Sequence, residues 1–423
     1  MHLAHCCSPR PAVGCRFSPK AAILVEMMRY GRLIPATAVL FAAAAALLGE
    51  VNILGHWWEN PEPYQETPKG LVSIRAKDCG VCHQAIYREW QLSTHAHALS
   101  DMQFQAEMHK DPSTQWICLN CHTPLINQRA EYAVAVKNDS VREPVMETNP
   151  RYDAKLEQEA VTCAVCHVRD GYILGPYGDS NAPHPVRKSE SLLTEKVCTK
   201  CHQATASYST TLICTFDTGQ EWRESPYSKQ GRYCSHCHMP EVDRAIAPGG
   251  PVRKSRRHYF VGSMIPKEVL GSLNGLPLNP RGLYRSGLSV EVEGVAPAGG
   301  ETEVRLRLKN AYAGHLLPTG DPERFILVEV TLTAGEVELG AQTLRIGQKW
   351  EWWPKAKKLA DNRLAPLAER TETLRFSGAA HGPFKVAVRV INARISEEAA
   401  AYHGLSGKYP TRVVVQSFAR RFE

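Results

Sequence analysis

The chain has 423 residues, a hydrophobic fraction of 43%, a charged fraction of 22% and a formal net charge of +7. This length suffices for two or three domains, and the composition is that of an ordinary globular protein. The modest positive charge gives no reason to predict a nucleic-acid partner, since a bound cofactor with charges of its own would change it.

The first 58 residues predict a targeting or anchoring segment. Residues 1–28 hold three cysteines without clear periodicity and are interpreted as a mis-assigned start or a leader, with translation beginning at Met27 or Met28. Residues 29–58 combine early arginines with a long apolar run, which fits a cleaved signal peptide or an uncleaved transmembrane anchor. Both interpretations predict export, to the periplasm or to the outer face of the cytoplasmic membrane, where residues 33–58 would form the anchor.

Residues 59–74 are predicted to form a linker, because the run is rich in proline and polar side chains. The next segment, residues 75–285, contains five copies of the pattern C-x-x-C-H. At the Cys and His frequencies of this chain, chance would give on the order of 0.02 copies. The cysteines are Cys79, Cys82, Cys118, Cys121, Cys163, Cys166, Cys198, Cys201, Cys234 and Cys237, and the histidines are His83, His122, His167, His202 and His238.

C-x-x-C-H is the attachment signature of c-type haem. Its two thiols add to the two vinyl groups of one haem, and the adjacent imidazole binds the iron. A disulfide framework would not place a histidine after every second cysteine, and five C-x-x-C units cannot all pair into four-cysteine zinc sites. We therefore predict five covalently attached haem c groups as the cofactors.

Successive motifs are 35 to 45 residues apart. A segment of this size is too short for a protein core of its own, so the haems must supply much of the core. We expect short helices after the motifs, loops between them and few strands. The best helix is predicted from Ala85 to Leu99, where apolar residues recur at helical spacing.

Each iron needs a sixth ligand unless it is left open for chemistry. His95 lies twelve residues after His83, about 18 Å along a helix. Two ligands of one iron have their nitrogens only about 4 Å apart, at about 2 Å per metal–imidazole bond. His95 should therefore reach a different haem from the one that His83 binds.

Other histidines are also candidates for the sixth ligands. His184 lies in a stiff Pro-flanked turn, and His258 follows the last motif by twenty residues, so both suit this role. For the fifth site, His97 and His109 stay open, each with a structural alternative. His236 is interpreted as a surface or propionate-contacting residue. The basic residues near His258 either face solvent or pair with propionates; they are Arg253, Lys254, Arg256 and Arg257.

From about residue 286 to residue 423 the pattern changes to short runs of period two, such as residues 303–308 and 385–390, separated by turn residues. This predicts an all-β, sandwich-like domain. His315, in a loop of this domain, is either structural or a further iron ligand. The tryptophans at 350, 352 and 353 predict a packed corner or a partner site.

The motif region resembles a known family. The first motif followed by W-x-x-S-x-H-A (residues 90–96) resembles the opening of the cytochrome c-554 family, which is related in haem arrangement to hydroxylamine oxidoreductase. The fifth motif and the later H-Y-F-V-G (residues 258–262) are similar to the same proteins. The loop G-H-L-L-P-T-G (residues 314–320) looks like one found in multihaem cytochromes that carry a C-terminal β domain.

This resemblance covers roughly residues 75–320. It implies mostly bis-histidine, low-potential haems in close pairs, alternately stacked and near-perpendicular, and distal roles for His95, His184 and His258. One departure is that the type member has four haems, whereas this chain has five motifs.

The sequence therefore predicts a multidomain protein, with a haem-packed, mostly helix-and-loop cytochrome domain followed by the β domain. The leading function is an exported pentahaem cytochrome that carries electrons between partner proteins, with membrane anchoring and oligomerisation both open. One alternative is an oxidoreductase that acts on a small nitrogen or sulfur species at one open-site haem. The other is a polymerising extracellular electron conduit. Whether the protein is an enzyme depends on how many irons have two histidine ligands.

Overall fold

The structure is a computed structural model that describes residues 51–52, 55, 57–178, 181–207, 213–263 and 286–423. The predicted leader and nearly all of the predicted signal or anchor segment lie outside these residues. Within the described part of the chain, no helix combines the length and the apolar character needed to cross a membrane.

The first part of the described chain is built from short elements. Its helices are α1 (Ala76–Gly80), α2 (Gln84–Gln91), α3 (Met102–Met108), α4 (Gln115–His122), α5 (Ala154–Glu157), α6 (Cys163–His167), α7 (Lys196–Thr199), α8 (Thr218–Arg223), α9 (Pro226–Lys229) and α10 (Cys234–His238). Single 3-10 turns are formed by Trp57–Glu59, Pro112–Thr114, Ile126–Gln128 and Glu190–Leu193. Its strands are β1 (Val51–Asn52), β2 (Glu131–Lys137), β3 (Ser140–Thr148), β4 (Val168–Arg169), β5 (Tyr172–Gly175), β6 (Val186–Lys188), β7 (Ala204–Ser207), β8 (Ile213–Phe216), β9 (Glu241–Ala245) and β10 (Val252–Arg256).

These strands differ from the expectation of few strands. β2 with β3, β7 with β8 and β9 with β10 form antiparallel hairpins, and β5 pairs with both β4 and β6. The first two of these hairpins connect one motif to the next, and the hairpin of β9 and β10 follows the fifth motif. In these hairpins, segments that are too short to form stable helices satisfy their backbone polar groups by pairing as strands.

The predicted helix from Ala85 to Leu99 is also shorter than expected, since α2 ends at Gln91. The Ser93 amide bonds to the Trp90 carbonyl at 2.8 Å, and the Ser93 hydroxyl accepts from the Ala96 amide at 3.4 Å. Serine favours such local bonds over a continued helix. The resulting turn redirects the chain before His95.

The predicted linker, residues 59–74, is packed against the motif region. The Glu62 amide bonds to the Pro124 carbonyl at 2.7 Å, and its buried carboxylate binds Lys200 at 2.6 Å. The Gln65 amide donates to Asn127 Oδ1 at 2.8 Å. These contacts show that the segment packs against the motif region, although its composition is typical of a flexible linker.

The C-terminal part is mostly strands. They are β11 (Leu288–Ala298), β12 (Glu301–Asn310), β13 (Phe325–Ala334), β14 (Val337–Glu351), β15 (Lys357–Asp361), β16 (Glu369–Ser377), β17 (Phe384–Ala393) and β18 (Arg412–Phe422), with one helix, α11 (Glu397–Tyr402). β11, β12 and β16 form one sheet, and β15, β14, β13, β17 and β18 form another, in these orders. All pairs in both sheets are antiparallel.

The inward residues of the two sheets form one apolar core. Leu306 and Leu308 of β12 are fully buried, as are Val328 and Val330 of β13, while intervening residues such as Arg305 are exposed. This alternation follows from the period of two in a strand. The stacked rings of Trp350 and Trp352 lie 5.1 Å apart at the end of β14, and the adjacent Trp353 is 78% exposed.

Candidate functional site

The five C-x-x-C-H motifs each form one helical turn. Three of them coincide with the end of α4, with α6 and with α10. In the other two, the turn continues past α1 and α7, through bonds from the His83 amide to the Cys79 carbonyl (2.9 Å) and from the His202 amide to the Cys198 carbonyl (3.0 Å). Residues i, i+3 and i+4 of a helix lie on one face. Each turn therefore presents two thiols and one imidazole in the same direction.

All fifteen of these side chains line one continuous cavity of about 3460 Å³. His95, His184, His258 and His315 also line it. A pocket for a single small ligand commonly occupies about 300–1,000 Å³. The cavity is therefore large enough for several large groups held close together.

Four motif histidines face a second imidazole across this cavity. The ring centroids of His167 and His258 are 6.2 Å apart, and those of His238 and His315 are also 6.2 Å apart. His202 faces His95 at 6.2 Å. His83 faces His184 at 6.5 Å. In each pair the second imidazole comes from outside the motif that supplies the first.

These separations fit a metal held between the two rings. At about 2 Å per metal–nitrogen bond, with each ring centre roughly 1 Å behind its nitrogen, two axial imidazoles would have centroids about 6 Å apart. Direct ring stacking would bring the centroids closer, and unrelated ring pairs would have no reason to fall four times within 6.2 to 6.5 Å. The ring planes differ by 15° for His238 with His315 and by 36° to 54° for the other pairs.

Backbone carbonyls fix the orientation of many of these imidazoles. The Nδ1 atom of His83 lies 2.8 Å from the Ile246 carbonyl, and that of His167 lies 2.9 Å from the Leu174 carbonyl. His238 is held by the Val261 carbonyl at 2.6 Å. The further Nδ1–carbonyl pairs are His122 with Ala98 (2.6 Å), His258 with Arg256 (2.9 Å) and His315 with Leu316 (2.8 Å).

A histidine that donates from Nδ1 carries the lone pair on Nε2, which is the arrangement typical of an imidazole metal ligand. Burial keeps the rings of His202, His258 and His315 neutral, because it lowers the pKa of each to about 4. The neutral form is the one that binds a metal. Tautomer, charge and separation thus agree with iron ligation by these residues.

The remaining candidates are placed differently. The His122 ring stacks on the Phe104 ring, with centroids 3.5 Å apart. His97 Nε2 contacts the Gln91 carbonyl at 2.9 Å, and His109 Nδ1 contacts the Gln105 carbonyl at 2.6 Å. Neither His97 nor His109 is among the described residues that line the cavity, so the structure does not bring these two together with His122.

His236 has a local role. Its Nδ1 accepts a bond from the Tyr233 amide at 3.0 Å, at the start of α10. The basic residues nearby are also engaged with protein groups. Arg256 donates to the Ser235 and Met239 carbonyls, both at 3.1 Å. Arg253 lies over the Tyr177 ring at 4.9 Å.

A basic residue that sequence reasoning missed is Arg324. It is half-buried and lines the cavity, and its buried Nε atom has no hydrogen-bond partner. Together with burial and His238, its charge lowers the pKa of His202, so it lies beside the fourth motif. A guanidinium with an unsatisfied buried donor suits a haem propionate. No sequence pattern marks this arginine, because it acts through its position in the loop before β13.

The thiols show which motifs are neighbours. Cys79 and Cys163 are hydrogen-bonded, which lowers the pKa of Cys79 and raises that of Cys163. Cys198 and Cys234 are bonded in the same way, and Cys201 is bonded to Cys121. Cys166 and Cys201 are close enough for the charge of one to affect the other. The third motif thus adjoins the first, and the fourth adjoins the second, third and fifth.

Comparison with known proteins gives a structural relative. The chain superposes on the crystal structure of a penta-heme cytochrome c552 from Thermochromatium tepidum with a TM-score of 0.55 and 14% sequence identity. The match covers 82% of this chain and 99% of the other. At this identity the likeness shows the fold alone. No protein-family model and no curated protein matches the sequence.

Proposed function

We propose that the protein is a multihaem c-type cytochrome that carries electrons along five covalently attached haem c groups. Four imidazole pairs at 6.2 to 6.5 Å around one cavity carry this proposal. The five C-x-x-C-H turns supply the attachment thiols, and the shared fold with a penta-heme cytochrome supports the same assignment. The motif sequences favour a relationship to the cytochrome c-554 family, with a haem-packed domain followed by a β-sandwich domain.

In this proposal the motif histidines are proximal ligands. His184 is the distal ligand for the first motif, His258 for the third, His95 for the fourth and His315 for the fifth. Haem c supplies a one-electron iron couple. At each of these four sites two imidazoles would hold the haem iron, which favours electron transfer over substrate binding there. His315 comes from the loop between β12 and β13, so the β domain takes part in the site.

The contacts between thiols give the order of the sites as first, third, fourth, fifth, with the second beside the fourth. We infer that electrons enter and leave at the two ends of this order, where donor and acceptor proteins would dock. Export to the periplasm, with or without an anchor, fits covalent haem attachment outside the cytoplasm.

The proposal is tested by expression in a host that attaches c-type haem. We expect the intact mass to exceed that of the mature chain by five haems, and the EPR spectrum of the oxidised protein to be dominated by low-spin signals. A protein that binds zinc in place of haem would refute the proposal. A high-spin signal that shifts with nitrite or hydroxylamine would instead favour the oxidoreductase.

A further inference from the structure

Residues 256–261, which we call the strap, supply or contact the paired imidazoles of three motifs in succession. His258 faces His167 of the third motif. The Phe260 ring lies 4.5 Å from the His95 ring, which faces the fourth motif. The Val261 carbonyl holds Nδ1 of His238 in the fifth motif at 2.6 Å. A displacement of this one segment would therefore reach three sites.

The strap has a strained residue at its centre. Phe260 has a φ of +50°, a region that bulky side chains rarely adopt. Such a conformation persists only where the surroundings impose it. Here the Phe260 ring lies between two imidazoles, 4.5 Å from His95 and 5.6 Å from His258 in an edge-on arrangement. This strained backbone conformation places the Phe260 ring as a spacer between the distal ligands of the third and fourth motifs.

One carboxylate fastens the strap to the first motif. Glu89, on α2 just after that motif, is only 4% exposed. Its Oε2 accepts from the His258 backbone amide at 2.9 Å, and its Oε1 accepts from Arg257 at 2.9 Å. Arg244 adds a two-point contact at 2.7 and 3.0 Å.

Arg244 completes the attachment, because it also donates to the Arg256 carbonyl at 2.8 Å. That same carbonyl lies 2.9 Å from Nδ1 of His258. Glu89 thus fixes both the backbone of the distal ligand and, through Arg244, the group that orients its ring. Without the carboxylate, two half-buried guanidiniums would lack a counter-charge, which is unfavourable for charges partly withdrawn from water.

We propose that Glu89 is a positioning residue that, through the strap, sets the axial imidazoles of the third, fourth and fifth sites together. The inference rests on the proposed function, since it assigns those imidazoles to iron. Neutralising Glu89 should release His258 first, because its amide is bound directly, and should disturb the other two sites through the strap. Glu89→Asp keeps the negative charge, so it should retain part of the positioning that neutralisation removes.

The test uses holoprotein with the variants Glu89→Gln and Glu89→Asp. Glu221→Gln is the matched control, because Glu221 is also buried, binds Arg363 at 2.7 Å and lies off the strap. CO binds only an iron that loses an axial ligand, so CO uptake by the reduced protein is counted. We expect Glu89→Gln to bind about one CO per molecule more than wild type, Glu89→Asp less, and Glu221→Gln to leave the third site unchanged. EPR should show altered low-spin signals for two further haems in Glu89→Gln.

Unchanged CO uptake and EPR in Glu89→Gln would overturn the inference while leaving a five-haem wild type intact, whereas a wild type without haem would refute the proposed function itself. If Glu89→Gln yields no holoprotein, Phe260→Gly and Phe260→Ala test the strap. Both remove the spacer ring, and only glycine relieves the strained backbone. Both should alter the signals of the third and fourth sites equally, and unaltered signals in both would overturn the inference.

Discussion

At the scale of single residues, an imidazole in this protein is defined by what its two nitrogens face. His315 and His109 are both histidines beside a carbonyl, at 2.8 and 2.6 Å from Nδ1. The His315 ring is half-buried and faces His238 across the cavity, whereas His109 is exposed, directly follows α3 and lies outside the cavity lining. Position in the fold therefore decides which of the two is a candidate iron ligand.

This contrast gives the first prediction. His315→Ala removes one of two imidazoles from the fifth site, so we expect about one more high-spin haem per molecule in the EPR spectrum than in wild type, and about one more CO bound after reduction. His109→Ala is the control and should match wild type. Equal spectra for wild type and His315→Ala would contradict the assignment of His315.

A second residue-level prediction concerns Glu323. Burial, together with the charges of Asp321 and Glu107, raises its pKa to about 7, although Lys110 opposes the shift. Because the folded protein holds the proton more tightly than the unfolded chain does, stability due to this group is full below about pH 4.5 and is lost as the pH rises to 7. His403 also faces the cluster, 2.9 Å from Glu107.

Glu323→Gln should therefore be more stable than wild type at pH 8, by about 1–3 kcal/mol, and should match it near pH 4. Calorimetric unfolding temperatures measured across this range report the difference. Glu336→Gln, on the exposed turn between β13 and β14, is the control. A difference between wild type and Glu323→Gln that does not vary with pH would exclude the buried carboxylate as its source.

At the scale of elements, the two parts of the chain differ in how well local sequence predicts them. The period of two in β12 and β17 places their inward residues in the core, because a strand buried on one face alternates whatever its neighbours are. The motif region offers no such rule. Its helices are one or two turns long, and α2 stops at a serine turn that periodicity does not reveal. Its hairpins form where short segments between the motifs or after the last one must satisfy their own backbone polar groups.

The β core supplies an element-level prediction. Leu306 of β12 is fully buried between the sheets, so Leu306→Ala should lower the free energy of unfolding by about 2–5 kcal/mol. Arg305→Ala, on the exposed face of the same strand, should change it by less than about 0.5 kcal/mol. Calorimetry of the holoproteins measures both. Similar losses of stability for the two variants would mean that β12 does not bury the face that carries Leu306.

At the scale of the whole molecule, the sequence predicts the attachment residues, but the pairs form only in the fold. C-x-x-C-H specifies the thiols and proximal imidazoles, because that chemistry requires adjacent residues. Each distal imidazole lies far from its partner in the chain, as His95 does from His202. Their pairing follows from how the motif turns pack, and so does the order of sites. The carbonyls that bind Nδ1 cannot be predicted from the sequence, since every residue has a backbone carbonyl.

The last prediction follows from the order of the sites. Because the fourth motif adjoins the second, third and fifth, every route from the first site to the fifth should pass it, while the second should be a side branch. In a His315→Ala background, a high-spin fifth haem would be spectrally distinct from the sites with two imidazoles. A photoreductant attached to Val81→Cys, at an exposed position in the first motif, then injects single electrons.

Removing the second site with Cys118→Ser and Cys121→Ser should leave the rate at which electrons arrive at the fifth haem within about twofold of the rate with all sites present. Removing the fourth with Cys198→Ser and Cys201→Ser should slow it by at least about tenfold, which corresponds to roughly 1.4 kcal/mol in barrier. Equal rates in the two variants would show that the fourth site is not on the path.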